Sequence, residues 1–184
     1  MENKIRIFRK TQRKRPPTHH PLLALDIEND PKTGKFINAA VYGEINVRSH
    51  GKSKPQHVER FFTNQTEFTD FLMDLRPEGM KEIPTKIILF NASYDYWFLM
   101  KITKDGELLT NGSNIITGKL RNGIPIMDLT NLTRQGSLED WIGYLNEEMG
   151  PLKKESLLNL EDRVKYDAKA KWILGNFLET FFTK

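Results

Sequence analysis

The spacing of apolar residues predicts alternating strands and helices along most of this chain. Residues 21–30 open with a run of aliphatic side chains and end in the turn formers Asn-Asp-Pro. The run is too short for a helix and predicts a buried strand. Residues 36–47 predict a second strand joined to the first by a hairpin turn, residues 50–56 a loop, and residues 58–62 a short third strand. Three successive strands indicate an antiparallel portion of sheet.

Helical spacing appears after this portion. Apolar residues at helical spacing predict a helix over residues 66–75, with Asn64 or Thr66 as its N-terminal cap. Residues 85–90 then predict a buried strand, which a turn at Asn91 connects to an apolar helix.

The last third of the chain carries two strong local signals. Asn122-Gly123 separates two apolar runs and predicts a tight hairpin. Ser137 and Asp140 have the spacing of a capping box and predict a helix that ends near residue 146. From about residue 156 the pattern predicts helix to the end of the chain, with a break expected at Gly175.

Length and composition limit the class of protein. The 184 residues suit one domain over residues 21–184, preceded by a flexible arm over residues 1–20. The absence of cysteine excludes disulfides and thiolate metal sites. No apolar run approaches the roughly 18 residues of a membrane span, and the basic N-terminus lacks the apolar core of a signal peptide. We therefore expect a soluble, intracellular protein with no membrane contact.

Positive charge is concentrated in the arm. Residues 1–20 hold seven Lys and Arg side chains against one Glu, whereas the whole chain carries a net charge of only +4. A basic arm before a slightly acidic body is typical of proteins that contact nucleic acid, and a solubilising tail is the alternative. Such an arm would add salt-dependent affinity that is independent of base sequence.

The first predicted strand ends in two carboxylates. Asp26 and Glu28 are separated by one residue, so both side chains leave the same face of a strand. Their repulsion favours a cation between them, and hard oxygen ligands suit Mg²⁺ or Mn²⁺. A polar strand end that meets water is the alternative.

Two later acids also need an explanation. Asp95 follows the strand at residues 85–90, at the kind of strand edge where open α/β sheets bind ligands. Asp167 lies on the largely apolar stripe of the last helix, where an unpaired carboxylate is unfavourable. Either Lys171, one turn later, neutralises Asp167, or Asp167 is a metal ligand.

The order and context of these acids resemble the DEDD superfamily of 3′-5′ exonucleases, in particular the proofreading exonuclease domain of family-B and protein-primed DNA polymerases. Asp26-Ile27-Glu28 resembles the first motif of that family, and Asn91-Ala92-Ser93-Tyr94-Asp95 resembles the second. Ser137-Leu138-x-x-Trp141 is similar to an element that contacts single-stranded DNA in protein-primed enzymes. Asp167 lies where the third motif has its aspartate, and the resemblance spans residues 22–174.

The resemblance implies an α/β, ribonuclease-H-like fold with a mixed central β-sheet flanked by α-helices. It also implies two divalent cations, Mg²⁺ or Mn²⁺, which hydrolyse a phosphodiester. The catalytic residues and metal ligands would be Asp26, Glu28, Asp95 and Asp167.

The resemblance further implies a set of contacts with nucleic acid. Asn91 and Tyr94 would hold the 3′ end, and Ser137 and Leu138 the adjacent nucleotides. Lys153 or Lys154 would meet the scissile phosphate.

The third motif departs from the family. The family's tyrosine, four residues before the aspartate, is replaced here by Arg163. Arginine stays protonated, so it can bind phosphate but cannot act as a base. Tyr166, beside Asp167, becomes the candidate for orienting the attacking water.

The expected function is that of a metal-dependent 3′-5′ exonuclease that degrades single-stranded or frayed DNA, or RNA, to nucleoside monophosphates. A separate polymerase or replication protein is the expected partner. Two alternatives remain open: a catalytically inactive nucleic-acid-binding module with the same fold, and a structure-specific endonuclease on the same scaffold.

Overall fold

The computed structural model describes residues 21–49, 52–75, 86–104, 108–111, 114–133, 136–145 and 159–182. The basic arm, residues 1–20, and the range 146–158, which contains Lys153 and Lys154, lie outside these residues. The strands are β1 (Leu22–Asn29), β2 (Phe36–Ser49), β3 (Lys52–Phe62), β4 (Lys86–Leu89), β5 (Leu109–Asn111), β6 (Asn114–Lys119) and β7 (Pro125–Asp128). The helices are α1 (Gln65–Asp74), α2 (Ala92–Leu99), α3 (Thr130–Thr133), α4 (Leu138–Tyr144) and α5 (Leu160–Phe182), with a 3-10 turn at Met100–Ile102.

Within the described residues the strands form one mixed seven-stranded sheet in the order β3-β2-β1-β4-β7-β6-β5. The first three strands form an antiparallel meander, as the sequence predicts. Strands β4 and β7 extend the sheet from β1 in parallel, and β6 returns antiparallel to β7. The α/β class and the mixed sheet are therefore confirmed.

Alternate residues of β1 face two different helical layers. Leu23, Leu25 and Ile27 join the core cluster that includes side chains of α1 and α2. Leu22 and Ala24 face the other way, into the cluster that includes Leu174 and Leu178 of α5. The pleat therefore turns Asp26 and Glu28 toward the side on which α5 lies.

Among the described helices, none is long and apolar enough to cross a membrane.

The β2–β3 hairpin is longer than the sequence predicts. Residues 50–56 were expected to form a loop, but β3 begins at Lys52, which pairs with Ser49. The register then continues without interruption to Phe62 opposite Ala39. Pro55 lies in β3, which is an edge strand, and edge strands are where sheets tolerate a residue that has no N–H to donate. The short elements β5 and α3 were also not predicted.

Helix α5 is continuous through Gly175, so the break expected there is wrong. A Cβ atom at residue 175 would lie 2.3 Å from Cδ1 of Ile88, which is fully buried in β4. The glycine therefore serves close packing: it lets the helix approach the sheet where any side chain would collide.

Candidate metal and nucleic-acid site

The site lies where three parallel strands end at one edge of the sheet. Asp26 is near the end of β1, Asn91 follows β4, and Asp128 is the last residue of β7. Because parallel strands end at the same edge, the topology gathers side chains from distant parts of the sequence. The sequence analysis placed Asp95 at a strand edge of the kind that binds ligands in open α/β sheets, and the strands do end together at such an edge.

Helix α5 completes the crevice from one side. It packs on β1, β2 and β4, and its buried stripe carries Asp167 and Lys171 over the strand ends. A cleft of about 520 Å³ opens there, lined by Asp26, Phe90, Asn91, Thr130, Gly136, Ser137, Leu138, Glu139, Asp167 and Lys171. Five residues that the sequence predicts for the site therefore line one cleft.

Lys171 is the residue that joins the acids. Its Nζ donates to Oδ1 of Asp26 at 2.6 Å and to Oδ2 of Asp95 at 3.5 Å. The lysine is 4% exposed, and Asp95 is equally buried. The sequence left two roles open for Asp167, neutralisation by Lys171 or metal binding. The Asp167 charge is among those that raise the pKa of Lys171, so the two residues do interact. The hydrogen bonds of Lys171 reach a strand and a second helix, so Lys171 ties three elements together.

Burial dominates the electrostatics of this cluster. Burial raises the pKa of Asp95 to about 7, although the Lys171 ammonium opposes the shift. Burial also disfavours the charged form of Lys171, but the Asp26 and Asp95 carboxylates outweigh this effect and raise its pKa above the ordinary value. Lys171 is therefore a fixed positive charge within the cluster.

Asp128 is a buried carboxylate that the sequence analysis did not identify. It accepts the N–H groups of Asn91 at 3.1 Å, Ala92 at 2.8 Å and Thr130 at 2.9 Å. Asn91 has a positive φ of 59°, which is unfavourable for a residue with a side chain. The bonds from Asn91 and Ala92 help to hold this turn and thereby fix the start of α2, on which Asp95 lies, and the bond from Thr130 holds the start of α3. The sequence signal that could have identified Asp128 is its position at the end of the apolar run that forms β7.

The expected contact residues on α4 have structural duties of their own. The Ser137 hydroxyl accepts the N–H of Asp140 at 3.1 Å, and the Asp140 carboxylate accepts the N–H of Ser137 at 2.7 Å, so the capping box is confirmed. Leu138 is half-buried and packs toward α5. Thr130, which the sequence analysis missed, lines the same cleft and offers a second hydroxyl.

The three remaining described candidates, Glu28, Arg163 and Tyr166, are not among the residues that line the cleft. Glu28 is half-buried on the same face of β1 as Asp26. Arg163 is exposed one turn before Asp167. Tyr166 is half-buried and packs against the cluster that Ile142 of α4 forms with Ala170 and Ile173 of α5.

Three of the expected contacts concern groups outside the described part of the structure. Tyr94 lies on α2, but its side chain is not described. Lys153 and Lys154 fall in the range 146–158, also outside it.

The donor chemistry of the cluster suits a hard divalent cation, since Asp26, Asp95 and Asp167 offer carboxylate oxygens. As these side chains stand, no group of three or more acidic or histidine side chains in the described ranges is set to hold a metal ion. The positive charge between Asp26 and Asp95 is supplied by Lys171 instead. The carboxylate oxygens are therefore suitable ligands for a divalent cation, but the Lys171 ammonium competes with a cation for Asp26 and Asp95.

Comparisons of the chain with models of protein families, with curated proteins and with solved structures give no match.

Proposed function

We propose that this protein is a metal-dependent 3′-5′ exonuclease that acts on single-stranded or frayed DNA. One observation carries the proposal: Asp26 and Asp167, which are far apart in the sequence, line a single open cleft together with Asn91 and Ser137. Asp95 is linked to the same centre through Lys171. A cleft that combines carboxylates with hydroxyl and amide groups suits a phosphodiester and the cation that hydrolysis requires.

The sheet supports the finer, ribonuclease-H-like assignment of the fold. Its antiparallel meander β3-β2-β1 continues in parallel through β4 and β7. This arrangement brings Asp26 and the turn at Asn91 to one edge of the sheet, beside Asp167 of α5, and this supports the proposed chemistry.

The chain's own residues have separable roles in this proposal. Asp26, Glu28, Asp95 and Asp167 would hold the divalent cation or cations, which supply an activated water and stabilise charge on the phosphate. Asn91 and Thr130 would offer polar groups to the 3′ end of the DNA, and Phe90 would offer an aromatic face on which a base can stack. Asp128 acts indirectly because it holds Asn91 and the start of α2 in position.

The test is digestion of a 5′-labelled single-stranded DNA in Mg²⁺ or Mn²⁺, with EDTA as the metal-free arm. We expect a ladder that shortens from the 3′ end and stops in EDTA. Asp26→Asn should reduce the rate at least about 100-fold, because several kcal/mol of transition-state stabilisation depend on the metal site. Asp70→Asn, an exposed acid on α1, is the matched control and should retain the wild-type rate.

Two further substrates separate the alternatives. A circular single-stranded DNA offers no end, so its cleavage would identify an endonuclease. A labelled RNA of the same sequence measures the preference between DNA and RNA. If wild-type protein leaves every linear substrate intact in both metals, the catalytic proposal is wrong.

A second candidate function is a nucleic-acid-binding module without catalysis. The observation that favours it is the Lys171 ammonium, which already satisfies two acids of the proposed metal site. In that case the oligonucleotide would be retained in a binding assay but not shortened, and Asp26→Asn would leave the absence of cleavage unchanged.

A further inference from the structure

We infer that Lys171 takes the place of one of the two divalent cations, so that the site binds a single divalent cation. The inference deepens the proposed function and rests on it for the identity of the ligands. It is carried by the position of Nζ, by the burial of the side chain and by the charges around it.

The position of Nζ selects which cation is replaced. The resemblance to the exonucleases implies two cation sites that share Asp26: Glu28 and Asp167 would complete one, and Asp95 would support the other. Nζ contacts Oδ1 of Asp26 and Oδ2 of Asp95, the pair that defines the second site. The first site, formed by Asp26, Glu28 and Asp167, is where the single cation would bind.

Burial keeps the Lys171 ammonium at this position. The Lys171 side chain is 5% exposed and lies on the inner stripe of α5, between the fully buried residues Ala168 and Leu174. Moving the ammonium into water would disrupt this packing and leave Asp95 buried without its partner. A second divalent ion would therefore have to enter beside a buried positive charge, where repulsion is strong because the surroundings are poor in water.

The ammonium can also supply part of the chemistry of the ion that it replaces. Lysine carries three donors, and Lys171 lines the open cleft beside Asp26 and Asp167. A donor directed at a phosphate oxygen would stabilise negative charge there without a second metal. Lys171 would thus serve both as a counter-charge for two acids and as a contact to the scissile phosphate.

The experiment counts metal ions directly. Mn²⁺ is titrated calorimetrically into the full chain, with and without saturating thymidine 5′-monophosphate, whose phosphate can complete the shell of a weakly bound ion. We expect one Mn²⁺ per wild-type chain in both conditions. Lys171→Met should bind two, and Lys171→Arg, which keeps the charge, should bind one. Lys169→Met, on a half-buried lysine of the same helix that lies over the Tyr42 ring, should also bind one.

Each outcome decides the inference. Two ions or none in the wild type would overturn it, as would a count of one in Lys171→Met. If Lys171→Met folds only with metal, its folding is followed as a function of Mn²⁺ concentration, and a dependence on two ions per chain is expected. One ion without DNA cleavage would refute the exonuclease proposal alone, whereas cleavage with two ions would refute this inference alone.

Discussion

Two of the lysine–carboxylate pairs that involve helix α5 have almost equal lengths but lie in very different surroundings. Lys171 Nζ lies 2.6 Å from Asp26, and the two side chains are 5% and 12% exposed. Near the other end of the helix, Glu179 lies 2.7 Å from Nζ of Lys86, and these side chains are 27% and 30% exposed. The first pair lies at the carboxyl ends of the parallel strands, and the second lies at the start of β4.

The difference teaches that distance alone does not determine the energy of an ion pair. Water screens the Lys86–Glu179 pair, and fixing two long side chains offsets most of its attraction. The Lys171–Asp26 pair is removed from water, so each charge depends on the other and loss of one leaves the other uncompensated. A buried pair of this kind is weak evidence for a purely stabilising role. The Lys171–Asp26 pair lies over the carboxyl ends of the parallel strands, and this position agrees better with a functional role than with a purely stabilising one.

The largest effect is expected when the buried pair is broken. Lys171→Met in EDTA should lower the free energy of unfolding by about 3–5 kcal/mol, because Asp26 and Asp95 lose their shared cation. Urea denaturation of wild-type and variant proteins measures the change. Adding Asp26→Asn to Lys171→Met should recover part of the loss, since one of the stranded charges is removed. A change below about 1 kcal/mol would mean that the pair is no different from a surface pair.

A smaller effect is expected between the two pairs, where α5 contacts the sheet through Gly175. Gly175→Ala places a methyl group against Cδ1 of buried Ile88, and overpacking typically costs about 1–3 kcal/mol. The gain in helix propensity offsets up to about 1 kcal/mol of that cost, so we expect a net loss of about 1–2 kcal/mol by urea denaturation.

Two controls test the cause of the Gly175 effect. Gly143→Ala on α4 meets no atom within 4 Å, so the same substitution there should stabilise the protein by up to about 1 kcal/mol. Ile88→Val removes the colliding methyl group, and Gly175→Ala should be better tolerated in that background. An equal loss with and without Ile88→Val would contradict the packing explanation.

Local patterns in the sequence predicted most of this fold. The apolar runs of β1 and β4, the Asn64 cap of α1 and the Ser137 capping box each depend on neighbouring residues only. The start of β3 was mistaken because pairing with β2 overrides the turn-like composition of residues 52–56. Gly175 was interpreted as a break because its partner, Ile88, is distant in the sequence.

The same distinction applies to the site. Helical spacing predicted that Asp167 and Lys171 share the inner stripe of α5, and both are buried there. The pattern could not predict which acid Lys171 contacts, because Asp26 lies 145 residues away. Nor could it predict that Asp128 holds Asn91 and Ala92, since that requires β4 and β7 to be neighbours in the sheet.

The smallest effect is expected at the surface pair, and its dependence on salt separates it from the buried one. Glu179→Gln should lower the free energy of unfolding by about 0.2–1 kcal/mol at low ionic strength. The loss should vanish near 1 M salt, where the Debye length falls to about 3 Å. The loss in Lys171→Met should persist at that ionic strength, because the side chains of Lys171 and Asp26 are almost entirely buried and salt screens a buried pair much less than an exposed one. Urea denaturation of both variants at the two ionic strengths measures the contrast. If the Glu179→Gln loss proves as insensitive to salt as that of Lys171→Met, burial is not what distinguishes the two pairs.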